Sequence, residues 1–284
     1  MHIQKFVTAM SNTYSPETVN KTINILSYIY KCGIDLNVIS FNPCERIKRV
    51  RVPNKSHTVW TDDQIVYFLS APDVKSSFYY DMFVLSFTLG IRPSELCGIS
   101  ETNFRNNGIL SLNRGYDRYG IISDMKNASS HRPLELSDAL IKLLNKRITL
   151  KKKQRLAFGT SDGFKEHDFL FTNTKGNPVN PNSYGRAFRT VLRSHNAKVN
   201  SYKESFGFIP PNMQILPEIR LYDARHSFAT NNILSNSASI KVISEILGHS
   251  TVKTTLHNYA QVTQSMSKTT IDEYTKKLLG TVSF

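Results

Sequence analysis

Hydrophobic and polar positions change period several times along the chain, and those changes mark out its elements. From Ser15 the pattern reads as a helix. Serine is a good cap, Pro16 suits the first helical position, and Glu17 favours the positive helix start. Val19, Ile23, Leu26 and Tyr30 then recur on one helical face, Gly33 is the expected stop, and Asn42-Pro43 marks a turn. A second helical start is written at Trp60. Thr61 and Gln64 have capping-box spacing, and Trp60 and Ile65 occupy the staple positions around it. Helical periodicity runs through Phe68 and again from Tyr80 to Leu89, with Gly90 as terminator.

The middle of the chain turns strand-like. Gly108 to Leu112, Gly120 to Ile122 and Arg132 to Leu136 are short apolar or alternating pieces separated by Asn, Gly and Ser. Helix returns from Asp138 to Leu150 and runs into a basic stretch, Lys151 to Arg155. Asn196 to Pro217 is polar and reads as loop. From Leu221 onward the pattern is helical again, with Ile240, Ile243 and Leu247 on one face. After position 262, Ile271, Tyr274, Leu278 and Leu279 have helical spacing, and this tail is expected to dock on a neighbouring copy. No internal repeat or low-complexity tract interrupts the pattern.

Charge narrows the partners. The chain of 284 residues carries 36 Lys and Arg against 22 Asp and Glu, a formal charge of +14. Such an excess implies a polyanion, either nucleic acid or an anionic membrane face. The membrane reading is weak, because the longest apolar stretch, Met82 to Ile91, falls well short of the about 18 residues that a span needs. The N-terminus has no signal-peptide pattern. Cys32, Cys44 and Cys97 are odd in number and lack C-x-x-C spacing, so they read as reduced core thiols in a cytosolic protein. Residues 1–56 hold eight Lys and Arg against three acids. Lys48, Arg49, Arg51 and Lys55 concentrate in an extended segment, expected to be an interdomain linker; it is either a solvated charged face or, as the near absence of acids favours, a contact to a DNA backbone.

Five further residues carry candidate chemistry. Arg92, in GIRPSEL, follows Gly90 and precedes Pro93, so it belongs at a helix start, where Glu95 can hold its guanidinium. It is either an anion ligand or a structural arginine closing a helix end. Arg225, in YDARHSFAT, lies early in a helix with Asp223 as the nearest acid to pair with. Lys126, between Ile122 and Arg132, is a hairpin lysine able to donate a proton to a leaving oxygen, or a surface lysine. In LGHSTVKTTLHNYAQV, His249 follows Gly248 and either caps the helix or serves a site. Tyr259 is either core or a nucleophile. A tyrosine attacks only a strongly activated centre, and two forked guanidiniums are suited to activating a phosphate.

In this order the motifs GIRPSEL, a hairpin lysine before RPLEL, YDARHSFAT and LGHSTVKTTLHNY resemble the tyrosine recombinases, in particular phage and conjugative-transposon integrases. The resemblance spans most of the chain. It implies a mainly α fold with a small antiparallel β-sheet (α+β), in two domains that clamp duplex DNA. The expected limits are a helical core-binding domain at 1–47, a basic linker at 48–58, a catalytic domain at 59–262 and the tail at 263–284. Nothing corresponds to the arm-binding domain that such integrases often carry, which fits a truncated form or a short family member.

Residue by residue, the resemblance implies that Arg92 and Arg225 bind the phosphate, Lys126 protonates the leaving oxygen, His249 assists, and Tyr259 is the nucleophile. Tyr222 stands three residues before Arg225, where the family has histidine. A phenol can donate to a phosphate oxygen but is a poor proton shuttle at neutral pH. The implied partners are duplex DNA, three further copies in a tetramer, and an excision factor or DNA-bending protein, acting at the nucleoid in the cytoplasm of a bacterial host. No carboxylate cluster suits Mg²⁺ and no P-loop is present, so no cofactor, metal or ATP is expected. Two alternatives remain at this point: a nicking enzyme resembling type IB topoisomerases, and a non-catalytic DNA-binding regulator.

Overall fold

A computed structural model describes residues 2–53, 58–105, 108–124, 130–158, 167–252 and 255. The chain divides into two compact units, Met1–Ser56 and His57–Phe284.

In the first unit α1 (His2–Ser11) and α2 (Pro16–Asp35) pack through Val7, Val19 and Ile23, with Ile47 and Val50 against the same cluster. Ser15 caps α2 as its sequence requires, its hydroxyl accepting from Thr18 N at 3.3 Å. Gly33 is not the helix stop. Asn37 takes the left-handed conformation (φ 56°), and Val38 N donates back to Gly33 O at 2.9 Å. Asparagine tolerates that conformation because its short polar side chain hydrogen-bonds locally. Gly33 instead leaves room for Ile39, whose Cγ1 would lie 3.1 Å from an added Cβ. The start of the basic segment is fastened rather than free: the Asn20 side chain donates to Val50 O at 2.8 Å and accepts from Val50 N at 3.0 Å.

The second unit is built on an aromatic core. Trp60 stacks on Phe87 (centroids 5.3 Å, planes 5° apart) and touches Phe68 and Phe188. Its indole N–H donates to Pro217 O at 2.9 Å, and its backbone N–H donates to the Ser227 hydroxyl at 2.9 Å. Around this core run α3 (Asp62–Ser70), α4 (Pro72–Lys75), α5 (Tyr80–Leu89) and α6 (Pro93–Gly98). The Thr61–Gln64 capping box forms in both directions, at 3.3 and 3.1 Å.

Among the described residues five short strands follow: β1 (Phe104–Arg105), β2 (Ile109–Leu112), β3 (Arg114–Tyr116), β4 (Ile122–Asp124) and β5 (Arg132–Glu135). They form an antiparallel sheet in the order β1-β2-β5 and a separate β3-β4 ribbon. Leu110 pairs with Leu134 and Leu112 with Arg132, so Arg132 shares the buried face of β5 with Leu134.

The further helices among the described residues are α7 (Asp138–Phe158), α8 (Pro181–Phe206), α9 (Asp223–Leu234) and α10 (Ile240–Leu247). The fold is thus mainly α with small antiparallel sheets, as the sequence implied. Two limits differ. Helix α7 continues through the basic stretch because Lys151 turns inward, donating to Glu101 Oε1 at 2.6 Å and His167 O at 2.7 Å. Helix α8 covers the first half of the expected 196–217 loop. Tyr184, Phe188, Leu192, His195 and Val199 keep its face buried while the rest is polar.

Candidate active site

The site assembles where two helices end. Gly90 closes α5 and Gly248 closes α10, both in the left-handed conformation (φ 59° and 65°). At the end of α10, Gly248 N donates to Glu245 O at 2.9 Å and His249 N to Ser244 O at 3.0 Å. That closure satisfies the earlier carbonyls and leaves the last three to other donors.

Arginines supply those donors. Arg132 Nε donates to Ile246 O, Arg225 Nη2 to Leu247 O at 2.6 Å, and Arg92 Nη2 to Gly248 O at 3.5 Å. Cations are favoured there because a helix C-terminus carries partial negative charge. Arg225 also reaches the end of α5, donating to Gly90 O at 2.9 Å. Its expected pairing with Asp223 does not form. That carboxylate accepts from Arg220 instead, through the backbone N (2.8 Å), Nε (3.1 Å) and Nη2 (2.9 Å). Asp223 opens α9 beside Arg220, whereas Arg225, two residues further on, faces the two closed helix ends.

Arg92 precedes α6 with extended backbone (φ −65°, ψ 143°) and Pro93 after it. Glu95 holds it as expected, accepting from its Nη1 and from its backbone N at 3.2 Å. The same carboxylate accepts from Arg132 Nη2 at 2.9 Å. Burial would raise the Glu95 pKa, but Arg132 and then Arg92 outweigh it and hold the carboxyl below its ordinary range. One carboxylate among three guanidiniums leaves the cluster cationic. Burial, with Arg92 beside it, brings Arg225 down to about 10, so it keeps its charge at neutral pH.

His249 follows directly on this cluster, with Nδ1 2.7 Å from the Thr255 hydroxyl. Burial first, then Arg225, Arg92 and Arg132, lower its pKa to about 4. The imidazole is therefore neutral at physiological pH, able to accept a proton on one nitrogen and donate from the other. Tyr222, just before α9, is 41 % exposed, its ring edge-on to His226 at 5.4 Å. It lines an open cleft of about 510 Å³ with Pro93, Arg186, Arg189 and Arg220.

The structure thus brings Arg92, Arg225 and His249 together, with Tyr222 on the adjoining cleft. Lys126, Tyr259, Lys55 and the 263–284 tail lie outside the described residues. In the first unit Lys48, Arg49 and Arg51 are exposed, Arg49 donating to Asn20 O at 3.1 Å. Sequence reasoning missed Arg132, seen there only as part of a strand. The two-residue period was the available signal, since it puts Arg132 on the same face as Leu134. Among the described residues no group of His, Cys, Asp and Glu is arranged to hold a metal, and no helix is long and apolar enough to cross a membrane.

A model of the phage integrase family matches residues 58–266. The ICEBs1 integrase of Bacillus subtilis (strain 168) is 22 % identical over 269 residues, covering 93 % of this chain and 67 % of that protein. Tyrosine recombinase XerC of Myxococcus xanthus is 25 % identical over 265 residues, covering 92 % and 77 % respectively. Among solved structures, the Tn1549 transposon integrase in complex with transposon right end DNA superposes with a TM-score of 0.69 at 22 % identity, covering 95 % of this chain and 83 % of that one. A lambda integrase dimer bound to a COC′ core site gives 0.60 at 15 % identity, covering 90 % and 63 %. At such identities the structural likeness speaks for the fold.

Proposed function

The chain belongs to the phage integrase family and is a site-specific DNA recombinase of the tyrosine type, and from that premise we propose how its own residues cut and rejoin duplex DNA. Arg92 and Arg225 bind the non-bridging oxygens of the scissile phosphate and stabilise the charge that builds up in the pentavalent transition state. The Tyr259 hydroxyl attacks phosphorus and the bond to the 5′-oxygen breaks, leaving a 3′-phosphotyrosyl link. Lys126 gives its proton to the departing 5′-oxygen. His249, neutral before DNA arrives, takes the phenol proton or hydrogen-bonds the phosphate. Tyr222 donates a hydrogen bond from the rim of the cleft, in the place where the family uses imidazole. The phosphodiester energy is kept in the covalent link, so a 5′-hydroxyl from a second duplex reverses the step without ATP.

The observation that carries this reading is the convergence of Arg92 and Arg225 on the end of α10, beside His249. Exchange between two duplexes requires four cleavages, hence four protomers, with the 263–284 tail docking on a neighbour. Lys48, Arg49, Arg51 and Lys55 contact the DNA backbone. An excision factor or DNA-bending protein sets direction, and the reaction takes place at the nucleoid in the bacterial cytoplasm.

The test is covalent capture on a pool of nicked duplexes with a randomised core, in which the nick traps the cleaved strand. Wild type is expected to yield adducts that survive denaturant and to select a sequence, and Tyr259→Phe to yield none. Adducts from the Phe variant, or none from wild type, would sink the reading.

A further inference from the structure

Arg132 differs from the other two arginines at the end of α10. Each of its three nitrogens is engaged: Nε on Ile246 O, Nη1 on Ser130 O at 3.1 Å, and Nη2 on Glu95 Oε2 at 2.9 Å. Its side chain is 7 % exposed, against 28 % for Arg92. An arginine so enclosed offers no open edge to fork a phosphate, and its burial is tolerable only because a carboxylate and two carbonyls answer its donors. Two of those partners, Glu95 and Ile246, belong to the two arms of the site. Glu95 on α6 aims Arg92, through both its backbone N–H and its guanidinium. Ile246 is the third residue before His249 and lies in the last turn of α10.

We propose that Arg132 is a positioning residue for strand cleavage: it aims Arg92 through Glu95 and places His249 through the carbonyl of Ile246, without touching the phosphate. The proposal rests on the recombinase reading above. Among the described residues, the charged and titratable groups facing His249 are Arg225 and His226 on α9, Arg92 just before α6 and Arg132 on β5, with the Thr255 hydroxyl on Nδ1. Glu95 faces the two guanidiniums of Arg92 and Arg132. Removing Arg132 therefore takes one cation from His249 and leaves Glu95 to Arg92 alone.

The full chain is assayed on the nicked duplex that wild type captures, as Arg132→Met and Arg132→Lys. In the Met variant the rate of adduct formation at saturating DNA is expected to fall roughly thirtyfold, the scale of one charge-assisted hydrogen bond. The half-saturating DNA concentration should move less than about threefold, because no substrate contact is lost. Without DNA, the His249 imidazole followed by NMR should titrate above the midpoint of wild type, which is expected near 4. Arg132→Lys keeps the charge but has one nitrogen for three acceptors. It should leave the His249 midpoint near wild type and recover only part of the rate.

The proposal is overturned if Arg132→Met cleaves at the wild-type rate, if DNA affinity falls in step with the rate, or if the His249 midpoint does not move. Should the Met variant fail to fold, the Lys variant decides, and a full wild-type rate from it overturns the proposal. Wild type that forms no adduct removes the recombinase reading and this proposal together. Wild type that cleaves beside an unaffected Met variant removes the proposal alone.

Discussion

Glu95 lies buried between two guanidiniums, and its charge is what allows Arg92 and Arg132 to sit so close together. Replacing it by Gln keeps the shape and removes the charge. Two cations then share a buried site without a counter-ion, and Glu95→Gln is expected to cost about 3 kcal/mol in urea unfolding, the scale of breaking a buried pair from one side. A cost below about 1 kcal/mol would mean that the carboxylate matters little to the cluster. The Glu95 carboxyl has its folded pKa depressed, so its contribution is present above the ordinary carboxylate value and is lost as pH falls through the folded one. His249 acts in the same direction. Its folded pKa is near 4 against 6.5 for a free imidazole, so the unfolded chain binds the proton more readily and stability declines as pH falls below about 6.5. The expected NMR midpoint for His249 is near 4, and an unshifted value near 6.5 would show that the imidazole is neither buried nor faced by the three arginines.

Two glycines with similar backbone strain separate local conformation from placement of the site. Gly207 ends α8 at φ 77° with nothing within 4 Å of an added Cβ, so Gly207→Ala meets only the left-handed penalty, about 1 kcal/mol. Gly90 ends α5 at φ 59°, but a Cβ there would lie 2.7 Å from Phe228 and 2.9 Å from Leu247. Gly90→Ala is expected to destabilise by about 3 kcal/mol, combining strain with overpacking, and to slow adduct formation because Arg225 hangs on the Gly90 carbonyl. Equal effects at the two positions would contradict this account. Elements closed by such local devices were legible: the Thr61–Gln64 box, Ser15, Gly90 and Gly248 all mark real ends. Helix α8 was not read from the sequence, and its second half was taken for loop, because after Leu192 its buried face depends on His195 and Val199. His195 is kept inside by Asp73 and by the Tyr67 hydroxyl, both distant in sequence. Asn37 likewise took the stop assigned to Gly33, since that choice depended on where Ile39 needed space.

Across the whole molecule, a charge of +14 and exposed cations at Lys48, Arg49 and Arg51 predict that duplex binding weakens steeply with salt. A fluorescence titration at rising salt checks this, and affinity that is indifferent to salt would remove the backbone-contact role. The order of motifs along the sequence revealed the family, because each candidate residue sits in a distinctive local setting. It did not reveal how they meet. That Arg132, Arg225 and Arg92 take consecutive carbonyls of one helix end is a long-range fact, written in no local pattern. The most direct test of the central claim is mass spectrometry of the captured protein–DNA adduct after trypsin digestion. The account predicts that the DNA is attached through its 3′-phosphate to Tyr259, in the peptide Thr254–Lys268. Attachment to any other residue, such as Tyr274 in the next peptide, or linkage through a 5′-phosphate, would contradict it.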